Sequence, residues 1–217
     1  MEIEQIKWPH IESAAHEKVF AAPAWRRPEG FGGWAVTEKI DGCNLGIHVS
    51  AGAFRLSSRE RMLEEGEDFY GILQLKDLYR PLVEAVQKAL QGPCAAWRQI
   101  SLHGECFGLR IMGRIPYGKT RSIRLFGGCS IEPAEEAACA WSLRQWGFAE
   151  LKTFLGSLGM EHWLVPAAAE CASLAEALAV PASGPSLINP EAGREGIVLL
   201  PLAGGWRVPQ GTSLIFK

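Results

Sequence analysis

The sequence predicts an α+β fold, and three observations carry that expectation. Short apolar runs separated by turn residues open the chain between residues 34 and 57. Two more such runs, at 195–200 and 212–216, close it. Between them lie stretches whose apolar residues recur at helical spacing. A length of 217 residues can bury a real core and suits one domain spanning 1–217.

Residues 34–40, WAVTEKI, and 44–49, NLGIHV, read as two strands with Asp41-Gly42-Cys43 as a tight connection. Residues 53–57, AFRLS, follow the Ala51-Gly52 turn as a third strand. Residues 76–90, KDLYRPLVEAVQKAL, space their apolar positions as a helix does, with Pro81 in or near the first turn. Strands are expected at 97–107 and 122–126. From Pro133 to about Leu178 the pattern turns helical, and this segment, 134–178, is expected to pack beside the functional pocket. Its tryptophans, Trp141, Trp146 and Trp163, are expected in the core or between lobes. Ser173-Leu174-Ala175-Glu176 has the form of a capping box. The Pro/Gly/Ser-rich stretch from Pro181 to Pro190 reads as a loop.

Composition excludes several classes. With 47% hydrophobic and 21% charged residues the chain is not disordered. A net charge of −2 argues against a broad non-specific nucleic-acid surface and leaves room for a local basic groove. None of the six cysteines forms a Cys-x-x-Cys pair, and no histidine lies at zinc-finger spacing from them. Reduced thiols and a cytoplasmic location are the expectation. The opening MEIEQIKWPH is charged early, so no signal peptide is expected, and no apolar stretch is long enough to span a membrane.

The chemistry centres on Glu38-Lys39-Ile40-Asp41-Gly42-Cys43-Asn44. A lysine at a strand end before a tight turn can project its amine into a cleft. Neutral lysine is a nucleophile that forms covalent intermediates. A free lysine keeps its proton to about pH 10.4, so such a site must favour the neutral amine by burial or a nearby cation. Glu38 and Asp41 push the other way unless they point elsewhere or hold a metal. A Lys-Asp pair in a surface hairpin is the ordinary alternative for the same residues.

Lys39-x-Asp41-Gly42 resembles the first motif of the covalent nucleotidyltransferases, the superfamily of DNA ligases, RNA ligases and mRNA capping enzymes. The stretch Trp34 to Asn44 is most similar to the RNA ligase 2 family of the phage T4 type, which has Glu before the lysine and Asn two residues after the glycine. Further motifs follow in the family's order: Ser58-Arg59, Gly104-Glu105-Cys106-Phe107-Gly108, Ile123-Arg124-Leu125-Phe126, Glu195-Gly196-Ile197-Val198 and Ser213-Leu214-Ile215-Phe216-Lys217. The similarity runs from about Trp8 to the end of the chain.

The resemblance implies a nucleotidyltransferase (ATP-grasp-like) core of antiparallel sheets flanked by helices. It implies an ATP-dependent RNA ligase that works with Mg²⁺ or Mn²⁺. Lys39 would take AMP from ATP and release pyrophosphate. The AMP would pass to a nucleic-acid 5′-phosphate, and a 3′-hydroxyl would then form the phosphodiester. Arg59 would contact phosphate or ribose as a fork donor, Glu105 the ribose hydroxyls, and Phe126 the adenine face. Glu195 would help hold the divalent cation, Lys217 would bind the α-phosphate, and Glu38 and Asn44 would line the nucleotide site. The implied partner is RNA, as a nicked duplex or an RNA/DNA hybrid.

Two departures from the family pattern generate expectations of their own. The fifth motif usually has two lysines one residue apart, and here the sequence stops at the first, Lys217. No C-terminal accessory domain of the usual kind is expected in this sequence. Weak turnover is therefore expected of it, an extension beyond residue 217 is expected to raise that turnover, and a partner protein is a candidate to supply the domain. The basic run 110–124 contains Arg110, Arg114, Lys119 and Arg121 as candidate nucleic-acid contacts, together with Arg124. Solvated strand arginines, or arginines serving ATP phosphates, are equally compatible with that run. Competing functions are a DNA ligase core, a GTP-using capping-type enzyme, or a non-catalytic module that holds a nucleotide or a 5′-phosphate end.

Overall fold

The computed structural model describes residues 2–9, 32–72, 76–134 and 141–204. Two antiparallel sheets organise the chain. The smaller has the order β7-β1-β8 and the larger β3-β2-β4-β5-β6. The strands are β1 (Trp34–Glu38), β2 (Cys43–Val49), β3 (Phe54–Ser57), β4 (Gln99–Gly108), β5 (Arg121–Pro133), β6 (Trp141–Gln145), β7 (Ala167–Cys171) and β8 (Ile197–Pro201). The helices are α1 (Lys76–Leu90), α2 (Phe148–Ser157) and α3 (Leu174–Ala179), with a 3₁₀ turn at Glu161–Trp163. No helix among the described residues is long and apolar enough to cross a membrane.

β1 lies in one sheet and β2 in the other, so residues 39–42 carry the chain between the two. Strand alternation sets what each face holds. Leu45, Ile47 and Val49 of β2 point into the larger core, where Leu82, Val83 and Val86 of α1 meet them. A second core surrounds β1 and β8, with Trp34, Val36, Ile197 and Leu199 packed against Phe107, Phe148 and Val165. The other face of β2 is polar. Asn44, Gly46 and His48 lie opposite Glu105, His103 and Ser101 of β4.

Segment 2–9 runs against that polar face. The Glu4 N–H donates to the Gln99 side chain at 2.9 Å, and Gln99 Nε2 donates back to the Glu4 carbonyl at 2.8 Å. Ile6 packs with Cys129 and Ile131. The indole of Trp8 lies where a Cβ on Gly127 would be, and Trp146 crowds Gly128 in the same way. Both glycines sit inside β5, which is why that strand outruns the expected 122–126: two glycines weaken a strand pattern, and here each admits a tryptophan.

The helical reading of 134–178 is corrected by the structure. β6 and β7 fall inside it, and only Phe148–Ser157 and Leu174–Ala179 are α-helical. The alanines of β7, AAAEC, have high helix propensity, but antiparallel pairing with β1 overrides it. Trp146 and Trp163 are buried as expected, whereas Trp141, on edge strand β6, is 47% exposed. Ser173 caps α3 by accepting the Glu176 N–H at 3.2 Å, while the Glu176 carboxylate takes the Ala172 N–H at 3.0 Å. The expected strand at 212–216 lies outside the described residues.

His48 and His103 are buried within the polar face. His48 Nδ1 bonds to Ser101 Oγ and Nε2 to Ser57 Oγ, both at 2.9 Å. Burial holds His48 down to about 4, and burial together with the neighbouring His48 holds His103 down to about 3. Both folded values lie below the ordinary 6.5, so the native state binds fewer protons than the unfolded chain in between. Their contribution to stability is complete above pH 6.5 and is lost as pH falls through the folded values. The prediction is that NMR imidazole shifts of both residues stay those of neutral rings down to about pH 5; midpoints near 6.5 would contradict the buried arrangement.

Candidate active site

Lys39 leaves β1 with its backbone pinned: its N–H donates to the Gly196 carbonyl at 3.0 Å. One residue earlier, the Glu38 N–H donates to Pro166 O at 3.1 Å, and its carboxylate Oε2 accepts the Leu187 N–H at 2.6 Å. Next, Gly42 presses on β4. A Cβ there would collide with the Cys106 carbonyl and lie 2.8 Å from Glu105 Cγ. Only glycine permits this approach, and it brings Glu105 beside the lysine's turn.

Glu38, Lys39, Asn44, Arg59, Glu105 and Phe126 line one cavity of about 400 Å³. Arg59 arrives after β3 in a turn whose shape Ser58 sets: Ser58 Oγ accepts the N–H groups of Glu60 and Arg61 at 3.3 and 3.2 Å. Val165, Val198 and Leu200 complete an apolar side of the cavity. Glu195, which immediately precedes Gly196 at the entry to β8, forms an ion pair with the Lys39 amine. Lys217 lies outside the described residues.

Asp41 does not face the lysine's charge alone. Its buried carboxylate takes the Arg114 backbone N–H at 3.1 Å and Nε at 3.0 Å, with Nη2 closing a second guanidinium contact. The same Nη2 lies 3.6 Å from Glu195 Oε1. The Asp41 N–H donates to the Tyr117 hydroxyl at 3.0 Å, and Asn189 Nδ2 donates to Pro116 O at 2.7 Å. Segment 114–117 thus braces the lysine's turn on one side and the loop before Glu195 on the other.

The basic run is therefore split in role. Arg114 serves the site's carboxylates. Arg121 Nε donates to the Leu109 carbonyl at 3.1 Å, while Arg110 and Lys119 stand exposed on the loop between β4 and β5. Sequence reading missed the pairing of Asp41 with Arg114 and the part of Tyr117, because partners 73 and 76 residues apart leave no local trace. It also missed Val198 and Leu200 as lining, although their two-residue spacing places them on one face of β8.

Burial pushes the Glu105 carboxyl up to about 8; the Lys39 ammonium opposes this, and Glu195 and Asp41 reinforce it. A carboxyl raised in this way gives the native state an extra proton between its ordinary value and about 8. Its contribution to stability is complete below the unfolded value and is lost as pH rises through 8. In thermal melts without ligand, Glu105→Gln is predicted to gain midpoint over the parent between pH 5.5 and 8.5. Parallel profiles would show that Glu105 is not held protonated.

These features are matched elsewhere. The family model described as RNA ligase matches residues 32–210. A comparison with curated proteins finds no match. Among solved structures, a Naegleria gruberi RNA ligase with PPi superposes with a TM-score of 0.65 at 20% identity, covering 98% of this chain and 55% of that one. A lysine-to-alanine mutant of that ligase with ATP and Mn gives 0.61 at 23%, covering 83% and 49%. A glutamate-to-alanine mutant with AMP and Mn gives 0.62 at 20%, covering 91% and 54%. This chain spans about half the length of those ligases, and what it shares with them is the fold. With the family model matched across most of its length, the chain belongs to the RNA ligase family.

Proposed function

We propose that this chain is the nucleotidyl-transfer core of an ATP-dependent RNA ligase, with Lys39 as the nucleophile. The observation that carries the reading is convergence. A lysine amine paired to Glu195 stands at a cavity whose walls bring Arg59, Glu105 and Phe126 from three other segments. A nucleoside triphosphate needs this division: an aromatic wall for the base, polar groups for the ribose, and cations for the phosphates.

In the proposed first step Lys39 loses its ammonium proton to solvent, the free amine forms a bond to the α-phosphorus of ATP, the bond to pyrophosphate breaks, and a second amine proton leaves to solvent. Glu195 and the turn that carries Lys39 hold the amine for in-line approach. The AMP then moves to an RNA 5′-phosphate, and a 3′-hydroxyl displaces it to seal the strand. Arg59 offers a fork donor to phosphate oxygens. Glu105, protonated near neutral pH, can both donate to and accept from a ribose hydroxyl.

Among the described residues no group of three or more His, Cys, Asp or Glu side chains is arranged to hold a metal ion. One or two carboxylates suit a hard cation that keeps waters and phosphate oxygens as its other ligands. Glu195 is the side chain that would hold Mg²⁺ or Mn²⁺, which would offset phosphate charge during transfer.

One observation favours ATP over GTP. Glu38 Oε1 is buried at the cavity with no hydrogen-bond partner among the described residues. An exocyclic amine on the base would satisfy it, and a carbonyl in the same place would repel it. The reading therefore favours a ligase over a GTP-using capping-type enzyme. RNA as acceptor follows from the family, and exposed Arg110 and Lys119 supply local positive charge for it. A partner protein that grips the nucleic acid would serve the two later steps.

Incubation with α-labelled ATP and Mn²⁺, followed by denaturing electrophoresis, tests the reading. The expected result is a labelled band on the parent that Lys39→Ala abolishes and Arg59→Ala weakens by about a hundredfold. A labelled Lys39→Ala band, or no label with any nucleotide, would contradict it. In the same assay Glu38→Gln, which replaces an acceptor with a donor, is predicted to lower the preference for ATP over GTP by about tenfold or more.

A further inference from the structure

We propose that Trp8 determines specificity: it forms the end wall of the base subsite and sets how large a purine the cavity admits. The inference rests on the nucleotide reading above and adds a residue from outside the motifs that support that reading.

Segment 2–9 has a fixed seat. The reciprocal bonds between Glu4 and Gln99, the Arg98–Glu4 ion pair at 2.9 Å and the burial of Ile6 hold it against the large sheet. Trp8 follows two residues after Ile6 and reaches the cavity, with Pro9 beside it. The backbone opposite makes room for the ring, since a Cβ on Gly127 would overlap the indole. The indole sits between His103, at a centroid separation of 5.3 Å, and Phe126, at 5.7 Å. A flexible chain end touching a cavity by chance would not need a strand glycine beneath it.

The cavity's chemistry places the base next to this ring. Within its lining, Lys39, Arg59 and Glu105 offer charged and hydrogen-bonding groups suited to phosphate and ribose, and Trp8, Phe126, Val165, Val198 and Leu200 offer apolar surface suited to a base. Trp8 and Phe126 are inclined at 61°. A base stacked flat on Phe126 would share that inclination and meet the indole edge-to-face instead of stacking on it. The rim of the base carries the substituents by which one purine differs from another in size. Phe126 would bind any base, and Trp8 would limit the outline of the base that fits.

The test is self-adenylylation of the parent, Trp8→Ala and Trp8→Phe with ATP and with ATP analogues enlarged by a benzyl group at N6 or a phenyl group at C2. The parent is expected to use ATP and discriminate strongly against both analogues. Trp8→Ala is expected to improve on at least one analogue relative to ATP by about tenfold or more, with KM for ATP raised and kcat little changed. Trp8→Phe should fall between, which keeps the test decisive if the alanine variant does not fold. A purely structural role would slow every nucleotide alike, and unchanged analogue-to-ATP ratios in both variants would overturn the inference while leaving the nucleotide reading intact. A parent that forms no adduct with any nucleotide would remove both.

Discussion

The crossing from β1 to β2 is the constraint on which the rest of the site depends. Residues 39–42 must leave one sheet and enter the other within four positions. They are held at both ends, by the Lys39 N–H on the Gly196 carbonyl and by the Gly42 backbone against Cys106 and Glu105. The first contact ties the lysine to the residue after Glu195, and the second ties its turn to the strand that carries Glu105. Backbone pairing thus brings two carboxylates from distant parts of the sequence to the lysine, Glu195 in an ion pair with its amine and Glu105 beside its turn. Side-chain attraction alone would not do this, since ion pairs at partly exposed positions contribute little.

The electrostatics follow from that geometry. Glu38, Asp41, Glu105 and Glu195 crowd around Lys39, an unpromising setting for any polyanionic ligand. The structure deals with each carboxylate separately. Asp41 is occupied by Arg114, Glu195 by Lys39 itself, and Glu38 in part by the Leu187 N–H. Burial favours the protonated form of Glu105. The charge that remains open toward the cavity is smaller than the sequence suggests, and Arg59 lines the same cavity from the turn after β3.

What was legible in the sequence was what is local. The first strand, expected at 34–40 and observed to Glu38, the strand ending at Ser57, and helix α1 from Lys76 to Leu90 follow from short-range pattern. The motif residues could be named because they follow one another in the order of the family they resemble; Lys39 and Arg59 sit just past strand ends, while Glu105 and Phe126 lie inside β4 and β5. Contacts made by pairing across the chain were not legible. Arg114 looked like part of a basic stripe, and only the tertiary turn shows that it braces Asp41. The alanines of β7 looked helical because β1, their partner, is more than a hundred residues away. Trp141 looked like core because a large aromatic usually is, yet it stands on an exposed edge strand. Trp8 marked only where the similarity begins, because nothing nearby in sequence explains its place; that place is made by a glycine in β5.

The central claim is that this fold makes Lys39, among all the lysines of the chain, the acceptor of AMP. Peptide mapping by tandem mass spectrometry after incubation with ATP and Mn²⁺ tests it most directly, with digestion kept away from acid because a lysine phosphoramidate is acid-labile. The account predicts a single adenylylated peptide with the modification on Lys39. An adduct on any other lysine, or adducts scattered over several, would contradict it.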